Sequence, residues 1–247
     1  MLNYEHQENV LHRQKGWIKR SQDYIGEFVY GGIDGSVTTF AVVAGAVGAK
    51  LDASVIIILG FANLIADGFA MSVGSYLSNK SELENFKKHE RIEYWEVEHL
   101  PEKETKEIRE IYQEKGFKGE LLDQVVEVIT ANKKRWVDTM MKEELNMTKS
   151  DKSPFAMGAM TFLSFLLVGL IPLAVYVLDY INDTPSDSNS FRIAILLTSS
   201  AFIGIGWLKS FVAQTSRIRS ILETLFLGSA AATLSYFVGS ILDKMFH

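Results

Sequence analysis

Five apolar runs of bilayer-crossing length, interrupted by one charged stretch from Lys80 to Lys152, constrain this chain more than any other feature. The runs extend over about Phe28–Ala49, Ala53–Leu77, Pro154–Leu178, Phe191–Val212 and Ile221–Leu242. Each is near the ~20 residues that a helix needs to cross ~30 Å of hydrocarbon. In lipid, backbone polar groups must be satisfied within the protein, so each run predicts a helix. The expected fold is an all-α membrane protein with five transmembrane helices and a cytoplasmic helical metal-binding domain inserted between the second and third. The boundaries divide it into a cytoplasmic N-terminal segment at 1–27, transmembrane helices at 28–79, the inserted domain at 80–153 and transmembrane helices at 154–247.

Composition enters mainly through its distribution. Charged residues make up 22%, apolar residues 47%, and the net charge is −5, averages that resemble a soluble protein. The charge is concentrated in the first ~27 residues and in the insert. The absence of cysteine removes disulfides, Fe–S clusters and thiolate zinc sites. Mild acidity argues against nucleic-acid binding, which calls for a basic surface.

The N-terminus lacks an apolar core followed by a small-residue cleavage site, so it does not read as a secretory signal. Its Glu-containing, Arg-poor start also fits a transit peptide poorly. These features lean toward a bacterial plasma membrane, with a vacuolar membrane as the alternative. Basic residues set the expected orientation. Arg13, Lys15, Lys19 and Arg20 precede the first run, Arg217 and Arg219 separate the fourth and fifth, and the insert is rich in Lys and Arg. Asp179, Asp183 and Asp187 occupy the other side. N-terminus and insert therefore read as cytoplasmic.

The insert is expected to be helical throughout. Ser81–Leu100 contains neither Gly nor Pro and continues directly from the second run. Pro101 suits the first turn of a second helix ending near Lys115-Gly116. Two further helical patterns cover Glu120–Ile129 and Lys133–Leu145, with Val125, Val126, Ile129, Trp136, Val137 and Met140 as packing residues.

Ionisable residues at membrane depth usually mark a pathway. Asp23, Glu27 and Asp34, spaced by four and seven, fall on one helix face rising from the cytoplasmic mouth. Asn63, Asp67 and Met71 repeat every four residues, so one face presents an amide, a carboxylate and a thioether. Such a donor set suits a transition-metal ion better than Mg²⁺ or Ca²⁺, although a methionine on a helix is more often a packing residue. In the insert, Glu93 with Glu96 and Glu104 with Glu107 form pairs three residues apart, and Met140, Met141 and Glu144 lie within about one turn. Glu82, Glu84, Glu110 and Glu127 read as solvated surface. Glu96 and His99 match one Glu-x-x-His element, where a di-iron bundle needs two.

Phosphate-binding loops, dinucleotide glycine patterns and nucleophile triads are absent from the sequence. No organic cofactor and no enzyme activity are expected. Transport would draw on an ion gradient, with protons the natural coupling ion because a protonated carboxylate releases its metal.

The chain resembles the vacuolar iron transporter family of Fe²⁺/H⁺ exchangers. The resemblance rests on Asp34-Gly35 with its following small-residue run, Met71-Ser72-Val73-Gly74-Ser75-Tyr76-Leu77, and the Glu-rich insert with Met140-Met141. It covers about Asp23 to Leu242. It implies a homodimer with a path at the dimer interface, Asp34 and Met71 near the midplane, and Asp23 and Glu27 at the cytoplasmic entrance. It also implies a metal site from Glu93, Glu96, Glu104, Glu107, Met140, Met141 and Glu144. One position departs, for Asn63 stands where plant-type members have a glutamate, with Asp67 one turn onward. The resulting expectation is export of Fe²⁺, with Mn²⁺, Co²⁺ and Zn²⁺ as further candidates, in exchange for protons. The alternative is a membrane-bound iron-storage or ferroxidase protein that uses the insert.

Overall fold

The structure, a computed structural model, describes the backbone of residues 16–183 and 188–246, with side chains over 24–183 and 189–246. The described residues form nine helices and no strand. In chain order these are α1 (Gly16–Gly48), α2 (Ala53–His99), α3 (Pro101–Glu114), α4 (Gly119–Thr130), α5 (Lys133–Glu143), α6 (Pro154–Gly169), α7 (Ile171–Ile181), α8 (Ser188–Ala213) and α9 (Arg217–Phe246).

Local chemistry accounts for most of the boundaries. At the end of α1, Leu51 N–H bonds the Ala46 carbonyl and Lys50 N–H bonds that of Val47, both at 3.0 Å, while Lys50 takes φ 54°. A left-handed residue capping the last turn is a common way to end a helix and reverse the chain. Pro101 opens α3 at a position where its missing N–H costs nothing. Gly116, with φ 98°, makes the turn after it. Asn132 caps α5 by accepting from Arg135 N–H at 2.9 Å.

α2 runs unbroken for 47 residues, as the lack of Gly and Pro after Ser81 leads one to expect. The third apolar run departs from a single straight helix. It is split into α6 and α7, which meet at a 52° bend around Leu170. Pro172 supplies the reason, because its ring removes a backbone donor and crowds the preceding turn.

The chain divides into two compact units, Leu77–Asp151 and Met1–Tyr76 with Lys152–His247. In the larger unit the core is built on Val43, Ala46, Ile56, Leu64, Phe165, Leu173 and Tyr176. Close backbone approach makes this packing possible. A Cβ on Gly35 would fall 2.5 Å from the Phe165 carbonyl oxygen, and one on Gly239 would fall 2.0 Å from that of Gly45. Small residues permit such contacts in apolar surroundings. The helices over Tyr24–Gly48, Ala53–His99, Asn189–Ala213 and Arg217–Phe246 are long and apolar enough to cross a membrane, and the bent α6–α7 pair makes a fifth if counted as one span. Their outward faces are apolar, with Ile58, Leu196, Phe226 and Phe237 exposed.

The smaller unit has its own core of Val97, Ile108, Leu122, Val126, Ile129, Trp136, Val137, Met140 and Met141. Most of the packing residues expected from the periodicity are there.

Candidate functional site

Two groups of acidic residues stand out, one in each unit. In the larger unit, the side chain of Asp23 lies outside the described residues. Glu27 on α1 is held from two sides: Ser75 on α2 donates to its Oε2 at 3.0 Å, and Thr161 on α6 lies 2.8 Å from the same oxygen. The Thr161 hydroxyl is also 3.0 Å from the Met157 carbonyl, so its single proton is shared between two acceptors. Two turns onward, Asp34 is half-buried and close enough to Asp67 on α2 for their charges to interact.

The other members of the α2 stripe differ in environment. Met71 is half-buried and packs against the main core, Asp67 is exposed, and Asn63 has a buried side-chain nitrogen with no hydrogen-bond partner among the described residues. Ser75 continues the four-residue repeat of Asn63, Asp67 and Met71, a signal present in the sequence. Thr161 could not be found that way, since it is a lone hydroxyl in an apolar run.

In the smaller unit, carboxylate oxygens of Glu93, Glu96 and Glu104 lie within 4.8 Å of one another. α2 supplies the first two on one face, and the turn at Leu100-Pro101 returns the chain so that α3 supplies the third. Glu93 and Glu104 are only 3% and 1% exposed. Oε2 of Glu93 and both carboxylate oxygens of Glu104 are buried without a hydrogen-bond partner among the described residues. Lys103 Nζ stands 3.5 Å from Glu104 Oε1 and 3.0 Å from Glu107.

Burial, and then the charges of Glu144, Glu96, Glu104 and Glu107, push the Glu93 carboxyl up to about 7. Glu104 is also pushed up to about 7, first by burial and then by Glu107 and Glu96, against the opposing Lys103. Glu144, on an exposed residue, is raised by partial desolvation and by Glu107. The fold thus gathers all five expected glutamates within electrostatic reach. Buried carboxylates with unused oxygens are costly unless a cation or protons neutralise them.

Met140 and Met141 are 0% and 1% exposed and belong to the hydrophobic core of this unit. His99 does not join the cluster of carboxylate oxygens. It is exposed, stacks on Trp95 at 4.6 Å, and its Nδ1 lies 2.9 Å from the Trp95 carbonyl.

Long apolar helices with carboxylates set among them define a multi-pass integral membrane protein. The model of the VIT family matches residues 25–240, and the chain belongs to that family, whose members are transporters and not enzymes. Among similar proteins, one from Toxoplasma gondii named vacuolar iron transporter is 33% identical over 98% of this chain and 80% of its own length. A protein of the same name from Centaurea cyanus is 29% identical over 94% of this chain and 93% of its own. Vacuolar iron transporter 1 of Arabidopsis thaliana is 28% identical, covering 90% and 87%.

Proposed function

We propose that this protein carries Fe²⁺ across a membrane, exporting it from the cytoplasm in exchange for protons, with Mn²⁺, Co²⁺ and Zn²⁺ as further substrates. The observation that carries this reading is the carboxylate cluster of Glu93, half-buried Glu96 and Glu104, in which the buried, unpartnered oxygens of Glu93 and Glu104 offer a divalent ion hard ligands. Relatives named as iron transporters support iron as the cargo. In this reading Glu107, Glu144, Met140 and Met141 complete the collecting site on the cytoplasmic side. Both methionines lie buried in the hydrophobic core of this unit.

The membrane path runs from Asp23 and Glu27 past Asp34 and Met71, with Asp67 and Asn63 beyond, and the bent α6–α7 pair counts as one of five spans. A homodimer interface along α2 accounts for the exposure of Asp67. Ala62, Ala66, Ala70 and Gly74 recur every four residues beside it and are exposed in the single chain, and a Cβ on Gly74 would meet no atom of the described residues within 4 Å. A stripe of small residues beside an unburied carboxylate suits a second copy of the same helix. Asp34 and Asp67 can hold either protons or one divalent ion, which is the exchange that coupling requires.

The test is Fe²⁺ flux into proteoliposomes with the pH gradient set, reversed and collapsed. Flux should follow the gradient, and Asp34→Ala should abolish it while Fe²⁺ binding to the purified protein persists. Normal accumulation in Asp34→Ala vesicles overturns the path. The ferroxidase alternative finds no support in the position of His99, which faces Trp95.

A further inference from the structure

Two cavities of the larger unit share the rings of Phe191 and Tyr236, which stack with centroids 6.2 Å apart and planes 14° apart. One, of about 320 Å³, is an apolar slot among α1, α8 and α9, walled by Phe40, Phe202 and Phe237. The other, of about 540 Å³, is polar and lies at the α1–α2 turn and the start of α8, with Lys50, Asp52 and Arg192 in its wall. That turn joins the ends of two apolar runs, where lipid headgroups meet water and where aromatic rings such as Tyr236 are favoured.

The charges of the polar cavity are balanced but not all mutually satisfied. Lys50 is held by Asp243 at 2.7 Å. The exposed side chains of Arg192 and Asp52 form neither a hydrogen bond nor an ion pair among the described residues. Tyr176, 2% exposed, adds its side chain to the wall of the same cavity. A cavity that offers the Arg192 guanidinium and the Asp52 carboxylate, beside a slot suited to hydrocarbon, matches a ligand of two parts. A headgroup with net negative charge would leave Asp52 opposed, whereas a zwitterion satisfies both ends.

We propose that these joined cavities bind a zwitterionic phospholipid with a primary ammonium, of the phosphatidylethanolamine class. Its phosphate meets Arg192, its ammonium donates to Asp52, and one acyl chain fills the slot beside Phe40, Phe202 and Phe237. Charge-assisted hydrogen bonds of this type are the strong ones, and they distinguish an ammonium from a trimethylated nitrogen that has no hydrogen to donate.

The test is native mass spectrometry of the full chain released from detergent, with equal amounts of phosphatidylethanolamine, phosphatidylcholine and phosphatidylglycerol carrying identical acyl chains. Phosphatidylethanolamine should be retained about tenfold over the other two, the preference worth one charge-assisted contact. Arg192→Gln and Asp52→Asn, both at exposed positions, should each remove that preference. Ser199→Phe, which fills the slot and leaves the charged groups in place, should remove retention of all three lipids at this site. Unchanged helical circular dichroism and unchanged Fe²⁺ binding by each variant establish that it is folded. Equal retention of the three lipids, a preference for phosphatidylglycerol, or a preference that survives both charge substitutions overturns the proposal in favour of non-specific surrounding lipid. Undiminished retention by Ser199→Phe overturns the joining of the two cavities.

Discussion

Glu93 on α2 and Glu104 on α3 bring carboxylate oxygens within 4.8 Å of each other while both residues are buried. Each carboxyl is pushed up to about 7, by burial first and by neighbouring glutamates second. A carboxyl raised in the folded state stabilises the fold below its unfolded value near 4.5, and that contribution is lost as pH rises through about 7. The metal-free protein should therefore lose stability in the smaller unit between about pH 5 and 7.5, by on the order of 1 kcal/mol for each group. Thermal melts followed by fluorescence of the buried Trp136 should show this loss, and Glu104→Gln should flatten it.

Metal should reverse that trend. A divalent ion replaces the protons on Glu93 and Glu104, so binding releases protons below pH 7 and tightens as pH rises. Calorimetric titration of Fe²⁺ under anaerobic conditions, in buffers of different ionisation enthalpy, should report more protons released at pH 6 than at pH 8. Equal release at both values would sink the idea that these two carboxyls are ligands.

Thr161 and Ser75 brace the same oxygen of Glu27, so their substitutions should not act independently of it. Thr161→Val and Ser75→Ala should each weaken the hold on Glu27 by about 1 kcal/mol. In a double-mutant cycle with Glu27→Gln, read as transport rate in proteoliposomes, each pair should fall short of additivity. Full additivity would mean the hydroxyls serve only their own helices.

Glycines should divide by what surrounds them. Gly239→Ala sets a methyl 2.0 Å from the Gly45 backbone oxygen and should force α1 and α9 apart, costing about 1–3 kcal/mol. Gly204→Ala meets no atom of the described residues within 4 Å and should gain a few tenths of a kcal/mol from helix propensity. Thermal melting of the two variants in detergent checks the contrast.

Absence of native cysteine makes topology directly testable. Single cysteines at the exposed positions Lys142 and Asn182 should be labelled by an impermeant thiol reagent from opposite sides of the membrane. Labelling of both from one side would refute the orientation drawn from the basic residues.

Much of the site was legible because its signals are local. The four-residue repeat of Asn63, Asp67 and Met71 and the three-residue spacing of Glu93 and Glu96 are helix geometry written directly into the chain. Other features were not accessible in this way. Met140 and Met141 read equally well as ligands or as core, and only the packing of four helices puts them among Val97, Ile108 and Trp136. Pro172 lay in plain view within the third apolar run, yet hydrophobicity alone gave that run as one span, without its 52° bend.

The sequence by itself determined that the chain is helical, that its long apolar helices suit a bilayer, and that its candidate site acids fall in two stretches, one along the first two apolar runs and one in the insert. Those properties depend on composition and periodicity over windows of about twenty residues. Tertiary structure alone decided which acids converge and which donors hold them. Glu27 and Thr161 are 134 residues apart, and Glu104 joins Glu93 only because the chain turns at Pro101. The meeting of Glu27 and Thr161 depends on how α1 and α6 pack, and the close backbone approach of Gly35 to Phe165 belongs to that packing, a contact that no local pattern encodes.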